Sequence, residues 1–322
     1  MAATEPLLRT VTRSQGNNAA LKDGRLKPAG YRLAFVDVPV LVQGFRRMVR
    51  QLEFDVCEMA LTTYLTAREH GVAFTALPVF LVRGFHHGAI HYNVNSGITS
   101  PRDLEDRRVG VNRGYTVTTG VWARSVLDRD YGVNLDRVTW VPTGDEHVVA
   151  YRPPRNVVPA EPGSDLVELL ATRELDAAVG LDPAAVADHP DIAPLIRDAD
   201  GVAMRALVER GHYPINHLIV VKDDVLRAHP DVATALYDVF TSAKDAYVEA
   251  LQRGAGSDSH DATDRMYSRV MAATGADPLP YGIEPNRAVL EGLVEQALRQ
   301  RILTKPIAVE DVFAQSVLEQ TG

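Results

Sequence analysis

Apolar positions along this chain change period repeatedly, from the alternation and short continuous runs of strands to the three- and four-residue steps of helices. Strand-like runs fall at residues 31–36, 73–79, 89–92, 108–111, 138–141, 177–179 and 217–221, with two more before Arg13 and from Phe54. Helical patterns run over residues 40–51, 60–69, 118–131, 165–172, 230–251 and 287–299. The 230–251 pattern is marked most clearly: Pro230 and Asp231 open it, as helix starts prefer, and Val232, Leu236, Val239 and Ala243 recur on one face. Strand and helix alternating in this way predict an α/β protein.

Two polar, turn-rich stretches interrupt the alternation, residues 99–110 (TSPRDLEDRRVG) and residues 209–217 (ERGHYPINH). They read as crossings between two lobes, one built from residues 1–105 plus 212–322 and the other from residues 106–211. Two crossings imply a ligand cleft between lobes, at the carboxyl ends of strands. Residues 151–165, with four prolines, and residues 254–261 (GAGSDSHD) read as surface loops.

Composition narrows the class. The chain has 322 residues, 46% hydrophobic and 24% charged, which suits an ordinary globular protein with room for two cores. A net charge of −8 with no basic run argues against a nucleic-acid surface. Cys57 is the single cysteine, so an internal disulfide, a zinc knuckle and an iron–sulfur cluster all lack their ligands. The first residues form no basic-then-apolar leader, and no stretch approaches the ~18 apolar residues of a membrane span. The expectation is a cytoplasmic protein with no membrane partner, for which self-association stays open.

Small hydroxyl residues stand where strands hand over to helices: Thr62 and Thr63 at one start, Tyr115, Thr116, Thr118 and Thr119 at another. Unpaired N–H groups at helix starts favour anions, so both starts suit a carboxylate-bearing guest. Arg13, in the TRSQGNN loop, adds a fork that matches a carboxylate. His86, His87 and His91 raise the question of a metal. On a strand, His87 and His91 would share a face but lie about 13 Å apart at ~3.3 Å per residue, too far for one ion, so no metal and no cofactor is expected. Motifs for dinucleotides, nucleoside triphosphates or a serine nucleophile elbow are absent from the sequence.

Several phrases taken together resemble the 4,5-dihydroxyphthalate decarboxylase family: EFDVCEMALTTYL, LPVFLVRGFHHGAIHYN, GITSPRDLEDRRVGV, VWARSVLDRDYGV, YPINHLIVV and PYGIEPNR. The resemblance spans most of the chain. It implies an α/β, two-lobed, type 2 periplasmic-binding-protein-like fold and the non-oxidative decarboxylation of a small hydroxylated aromatic acid. Such chemistry needs an acid that protonates the ring carbon bearing the carboxylate, and histidine is the natural donor near neutral pH. His87, at the histidine of the family-like phrase, is then the first candidate. His217 would approach from the opposite wall, and Glu58 would deprotonate a ring hydroxyl or fix a histidine tautomer. The chain departs from the family at His86-His87-Gly88, where Arg-His-Ser is usual, and at Cys57, where Ser is usual. The alternative is a binding protein without catalysis, either the substrate-binding component of an ABC-type transporter or an intracellular small-acid binder. A missing leader favours the enzyme.

Overall fold

A computed structural model describes residues 5–254 and 261–322, so most of the expected 254–261 loop lies outside the described residues. The chain divides into two units. The first comprises residues up to Gly84, Ile215–Glu291 and Ile307–Gly322; the second comprises Phe85–Pro214 and Gly292–Pro306.

The first unit is built on a five-stranded sheet of order β2-β1-β3-β10-β4. Its strands are β1 (Leu7–Val11), β2 (Arg32–Phe35), β3 (Val56–Ala60), β4 (Phe74–Arg83) and β10 (Ile215–Lys222). β1 runs parallel to β2 and β3, whereas β10 lies antiparallel between β3 and β4. β3 is central and every one of its residues is buried. The helices Leu41–Gln51, Leu61–Glu69 and Val232–Gln252 belong to this unit. In the last of them Val232, Leu236, Val239 and Ala243 are all buried, the face that the sequence pattern marks.

The second unit repeats the plan with order β7-β6-β8-β5-β9. Here the strands are β5 (Ile90–Asn93), β6 (Arg108–Val111), β7 (Thr139–Pro142), β8 (Ala177–Val179) and β9 (Ile192–Pro194). β6 runs parallel to β7 and β8, and β5 lies antiparallel between β8 and β9. Helices Thr118–Tyr131 and Ala199–Arg210 accompany this sheet. Leu166, Leu170, Leu175, Val141 and Ala178 form part of its core.

The unit boundaries differ from the expected 105/106 and 211/212. The first change of unit comes at Gly84, because β5 finds its hydrogen-bond partners in β8 and β9 rather than in the first sheet. The second comes at Pro214, inside the expected crossing stretch. Residues 292–306 join the second unit, where Gln300 accepts from Arg124 Nε at 2.7 Å and Arg299 pairs with Asp128 at 2.6 Å. The proline-rich 151–165 stretch is irregular yet stapled to the edge strand: Trp140 N donates to Asn156 O, and Val158 N donates to Trp140 O, each at 2.8 Å. It covers a sheet edge that would otherwise stand open. Among the described residues no helix is long and apolar enough to cross a membrane.

Candidate functional site

Register alone brings Glu58 and His217 together. On the antiparallel pair β3/β10, Glu58 stands opposite Ile219 and Ala60 opposite His217, which makes Glu58 and His217 diagonal neighbours on one face. The pairing of β10 with β4 shifts register on both sides of His217, and such an irregularity re-aims a side chain. His217 Nδ1 lies 2.7 Å from Glu58 Oε1. Arg13 completes the group, because β1 pairs with β3 and the chain leaving β1 passes over Glu58. The Arg13 backbone N–H donates to Glu58 Oε2 at 3.0 Å and its Nε donates to Oε1 at 3.1 Å. Arg13 Nη2 stands 3.0 Å from His217 Nδ1. The shorter, charge-assisted contact assigns the Nδ1 proton to the bond with Glu58, so Arg13 and His217 both turn donors toward one carboxylate.

Burial grades the three groups. Glu58 is completely buried, the His217 side chain is 17% exposed and that of Arg13 is 43% exposed. Burial by itself pushes the Glu58 carboxyl up. The hydrogen bond and charge of His217, followed by the charge and backbone N–H of Arg13, more than offset it and hold Glu58 below the usual carboxylate value. Phe45 meets the His217 ring edge to face at 5.2 Å and fixes its plane. Lys22, which donates to Thr12 O at 2.5 Å, has its ammonium pushed down by burial against the opposing pull of Glu58 and Asp37.

Cys57, one residue before Glu58, faces the other side of the sheet, as strand alternation requires. It is fully buried and its thiol is pushed up by that burial, so it fills core space beside the site. Thr62 and Thr63 lie in the first turn of the Leu61–Glu69 helix, which follows β3 directly, and both are completely buried.

His87 is placed otherwise. It begins a 3-10 turn, His87–Ala89, ahead of β5, and its ring is fully buried. Its Nε2 lies 3.2 Å from Asp130 Oδ2, while Arg210 Nη2 donates to the other Asp130 oxygen at 2.8 Å. Burial raises the Asp130 carboxyl, but the His87 hydrogen bond and the Arg210 charge bring it below its ordinary value. His212 stands edge-on to both His87, at 6.3 Å, and Trp122, at 5.5 Å. Burial, then repulsion from His87, lowers His212 to about 4. His91 lies on β5, buried, so the turn at His87 also breaks the strand geometry that the 87/91 spacing assumed.

The second expected helix start holds an anion of its own. Tyr115 N donates to Glu146 Oε1 at 2.5 Å, and Thr116 donates from N at 3.2 Å and from Oγ1 at 2.5 Å to Oε2. The carboxylate expected from a guest at Tyr115 and Thr116 is thus supplied by Glu146. Tyr115 is buried under Arg124, whose guanidinium stacks 3.9 Å over its ring. Thr118 is buried at the helix start, and Thr119 is partly exposed beside it.

Arg13, Glu58 and His217 therefore converge, with Thr62 and Thr63 on the same unit, whereas His87, Tyr115, Thr116, Thr118 and Thr119 belong to the other. Sequence reasoning missed Asp130, Arg210, His212 and Glu146. Asp130 and Arg210 lie in the last turns of their helices, where a single charge carries no pattern; His212 stands in the ERGHYPINH stretch, which is the available signal.

Against protein-family models the chain has no match. It is 27% identical over 289 residues to a 4,5-dihydroxyphthalate decarboxylase of Comamonas testosteroni, an alignment covering 85% of this chain and 86% of that protein. A protein of the same name from Pseudomonas putida is 34% identical over 171 residues, covering 49% of this chain and 65% of that protein. Among solved structures, the alkanesulfonate-binding protein SsuA from Xanthomonas axonopodis pv. citri superposes with a TM-score of 0.57 at 13% identity, covering 98% of this chain and 99% of that one. At that identity the superposition speaks for the fold, which is the expected α/β fold of the periplasmic binding proteins.

Proposed function

We propose that this chain, which is related over most of its length to the 4,5-dihydroxyphthalate decarboxylases, is a carboxy-lyase that removes one carboxyl group from a hydroxylated, phthalate-like aromatic acid. Kinship with two proteins of that name carries the reading. The Arg13–Glu58–His217 group supports it with the parts the chemistry needs: a cation for a carboxylate, and an imidazole whose tautomer is fixed by a buried acid.

In this proposal Arg13 holds a substrate carboxylate and His217, protonated, presents Nε2 to the ring carbon that bears the departing group. A ring hydroxyl para to that carbon pushes an oxygen lone pair into the ring as the carbon takes the proton. The bond to the carboxylate then breaks, its electron pair restores the aromatic ring, and CO2 leaves. Electrons balance within the substrate, so the step calls for an acid and no oxidant. Glu58 keeps Nδ1–H directed inward and steadies the imidazolium between turnovers. Its own carboxyl, held below the usual value, stays charged throughout. Full burial of His87 favours a positioning role for it. A cytoplasmic location belongs to the same proposal, supported by a chain whose single cysteine offers no disulfide.

Incubating the purified protein with 4,5-dihydroxyphthalate and following CO2 release together with 3,4-dihydroxybenzoate tests the reading. Stoichiometric appearance of both supports it. Saturable binding with no CO2 would instead support the binding-protein alternative, to which the fold lends itself.

A further inference from the structure

A cavity of about 130 Å³ opens beside Arg13 in the first unit. We propose that it receives the hydroxyl-bearing edge of the aromatic acid, with the carboxylate edge left at Arg13; the assignment rests on the decarboxylase reading above.

The walls are chemically uneven. Gln15, Gly16 and Asn17 form one side, and Tyr247 and Asp264 stand on the other. Asn17 is 2% exposed, and its Nδ2 donates to Leu81 O at 2.9 Å, while its Oδ1 has no hydrogen-bond partner among the described residues. Gln15 Nε2 is likewise buried, with no partner among the described residues. Asn17 Oδ1 is an acceptor and Gln15 Nε2 a donor, and both residues line the one cavity, so the pair suits a ligand that both donates and accepts, as a hydroxyl does. Tyr247 donates to Asp264 Oδ1, leaving Oδ2 as a further acceptor. A Cβ on Gly16 would fall 2.1 Å from the Tyr247 ring, so only glycine lets that ring close the wall against the loop backbone.

Charge then sets the direction in which a ligand enters. Asp264 accepts hydroxyl protons and repels carboxylates, while Arg13, whose Nη1 makes no hydrogen bond among the described residues, attracts them. Asp261 also lines the cavity, but it already accepts from Thr263 N at 2.8 Å and Asp264 N at 2.9 Å as a helix cap. Size agrees with partial entry: a benzene ring fills a cavity of about 150 Å³. The space here takes the hydroxyl edge and leaves the two carboxylates outside.

Calorimetric titration of the full-length protein with 4,5-dihydroxyphthalate and with phthalate, which lacks the hydroxyls, tests the assignment, with CO2 release followed in parallel. Wild type is expected to prefer the hydroxylated acid by about 10- to 100-fold. Asn17→Leu should reduce that preference by about tenfold or more and change phthalate affinity by less than about twofold. A folded Asn17→Leu protein, with wild-type circular dichroism, that keeps the full preference overturns the proposal. Should that variant fail to fold, Asp264→Asn carries the test, since it exchanges an acceptor for a donor at the wall; an unchanged preference again overturns it. A wild type that discriminates without releasing CO2 supports the cavity and sinks the decarboxylase. CO2 release with preference unaltered in the variants keeps the decarboxylase and sinks the cavity. A wild type with no preference between the two acids also overturns it.

Discussion

Each unit contains a histidine, a carboxylate and an arginine in contact, and the two sets are buried in opposite order. In the first unit the carboxylate, Glu58, is sealed from solvent and the His217 side chain is 17% exposed. In the second the His87 side chain is 1% exposed and the Asp130 side chain 17%. Both arginines extend outward, Arg13 43% and Arg210 52% exposed. Composition at the two places is nearly the same, so the difference lies in which member solvent or a ligand can reach. An imidazole backed by a buried carboxylate presents its outer nitrogen for proton transfer. An imidazole buried beneath an outer carboxylate ties a turn to a helix end. The first arrangement suits chemistry and the second suits cohesion.

The largest effect should follow from breaking the first set. His217→Ala is expected to lower kcat by about 10²- to 10⁴-fold, the usual worth of a positioned general acid, and to lower the melting temperature as well, because buried Glu58 loses its main donor, so kcat is read well below that temperature. Steady-state CO2 release and differential scanning calorimetry read the two quantities. Wild-type kcat in that variant would remove the proposed role and with it the contrast between the units.

His87→Ala probes the other side of the comparison. Loss of the buried ring leaves a cavity and strips Asp130 of one donor, so stability is expected to fall by about 2–3 kcal/mol in urea titration. Activity, measured well below the melting temperature, should fall far less than in His217→Ala. An inverted outcome, with His87→Ala stable and inactive, would exchange the roles of the two histidines.

How much of this was legible follows from which signals are local. Strand-to-helix alternation is local, and it placed the Thr118–Tyr131 and Arg287–Arg299 helices and the β6 and β8 strands at their observed bounds. Glu58, His217 and Arg13 were singled out one by one, from strand ends and loops. Their convergence depends on β10 returning antiparallel between β3 and β4, across 159 residues of sequence between Glu58 and His217. No periodicity carries that register. Gly88 and the aromatic, isoleucine-rich flanks of His87 favour a strand through the histidines, and only pairing with β8 and β9 shows that β5 begins at Ile90. The anion at Tyr115 and Thr116 was anticipated from the helix start, but its source, Glu146, lies 30 residues beyond Thr116 in an irregular loop.

Acid sharpens the contrast further, because the second unit holds a histidine that folding keeps neutral. His212 falls from 6.5 to about 4 in the folded state. A depressed folded value means that the unfolded chain binds more protons between those limits, so stability is full above pH 6.5 and declines as pH drops toward 4. At about 1.4 kcal/mol per unit, the decline amounts to at most about 3.5 kcal/mol. Melting temperatures recorded from pH 7 to pH 4 should fall more steeply in wild type than in His212→Phe. Equal slopes would mean that His212 does not report on the second unit's cohesion. Glu58 adds its loss lower still: its folded value is depressed, so its contribution is present above the unfolded carboxylate range near 4.5 and disappears only as pH falls below it. On acidification the contribution of His212 is thus lost before those of the two carboxylates, Glu58 and Asp130, whose folded values are both depressed.

The smallest expected change tests the arginine of the first set. Arg13→Lys keeps the charge but loses the fork that spans Glu58 and a substrate carboxylate together. KM for 4,5-dihydroxyphthalate should rise by about tenfold, the worth of one charge-assisted hydrogen bond, with kcat nearly unchanged because His217 retains Glu58. Arg210→Lys, the matching change in the second unit, should leave KM untouched, since Arg210 serves only Asp130 among the described ion pairs. If both substitutions raise KM alike, the arginines are equivalent toward substrate, and the difference between the units reduces to their histidines.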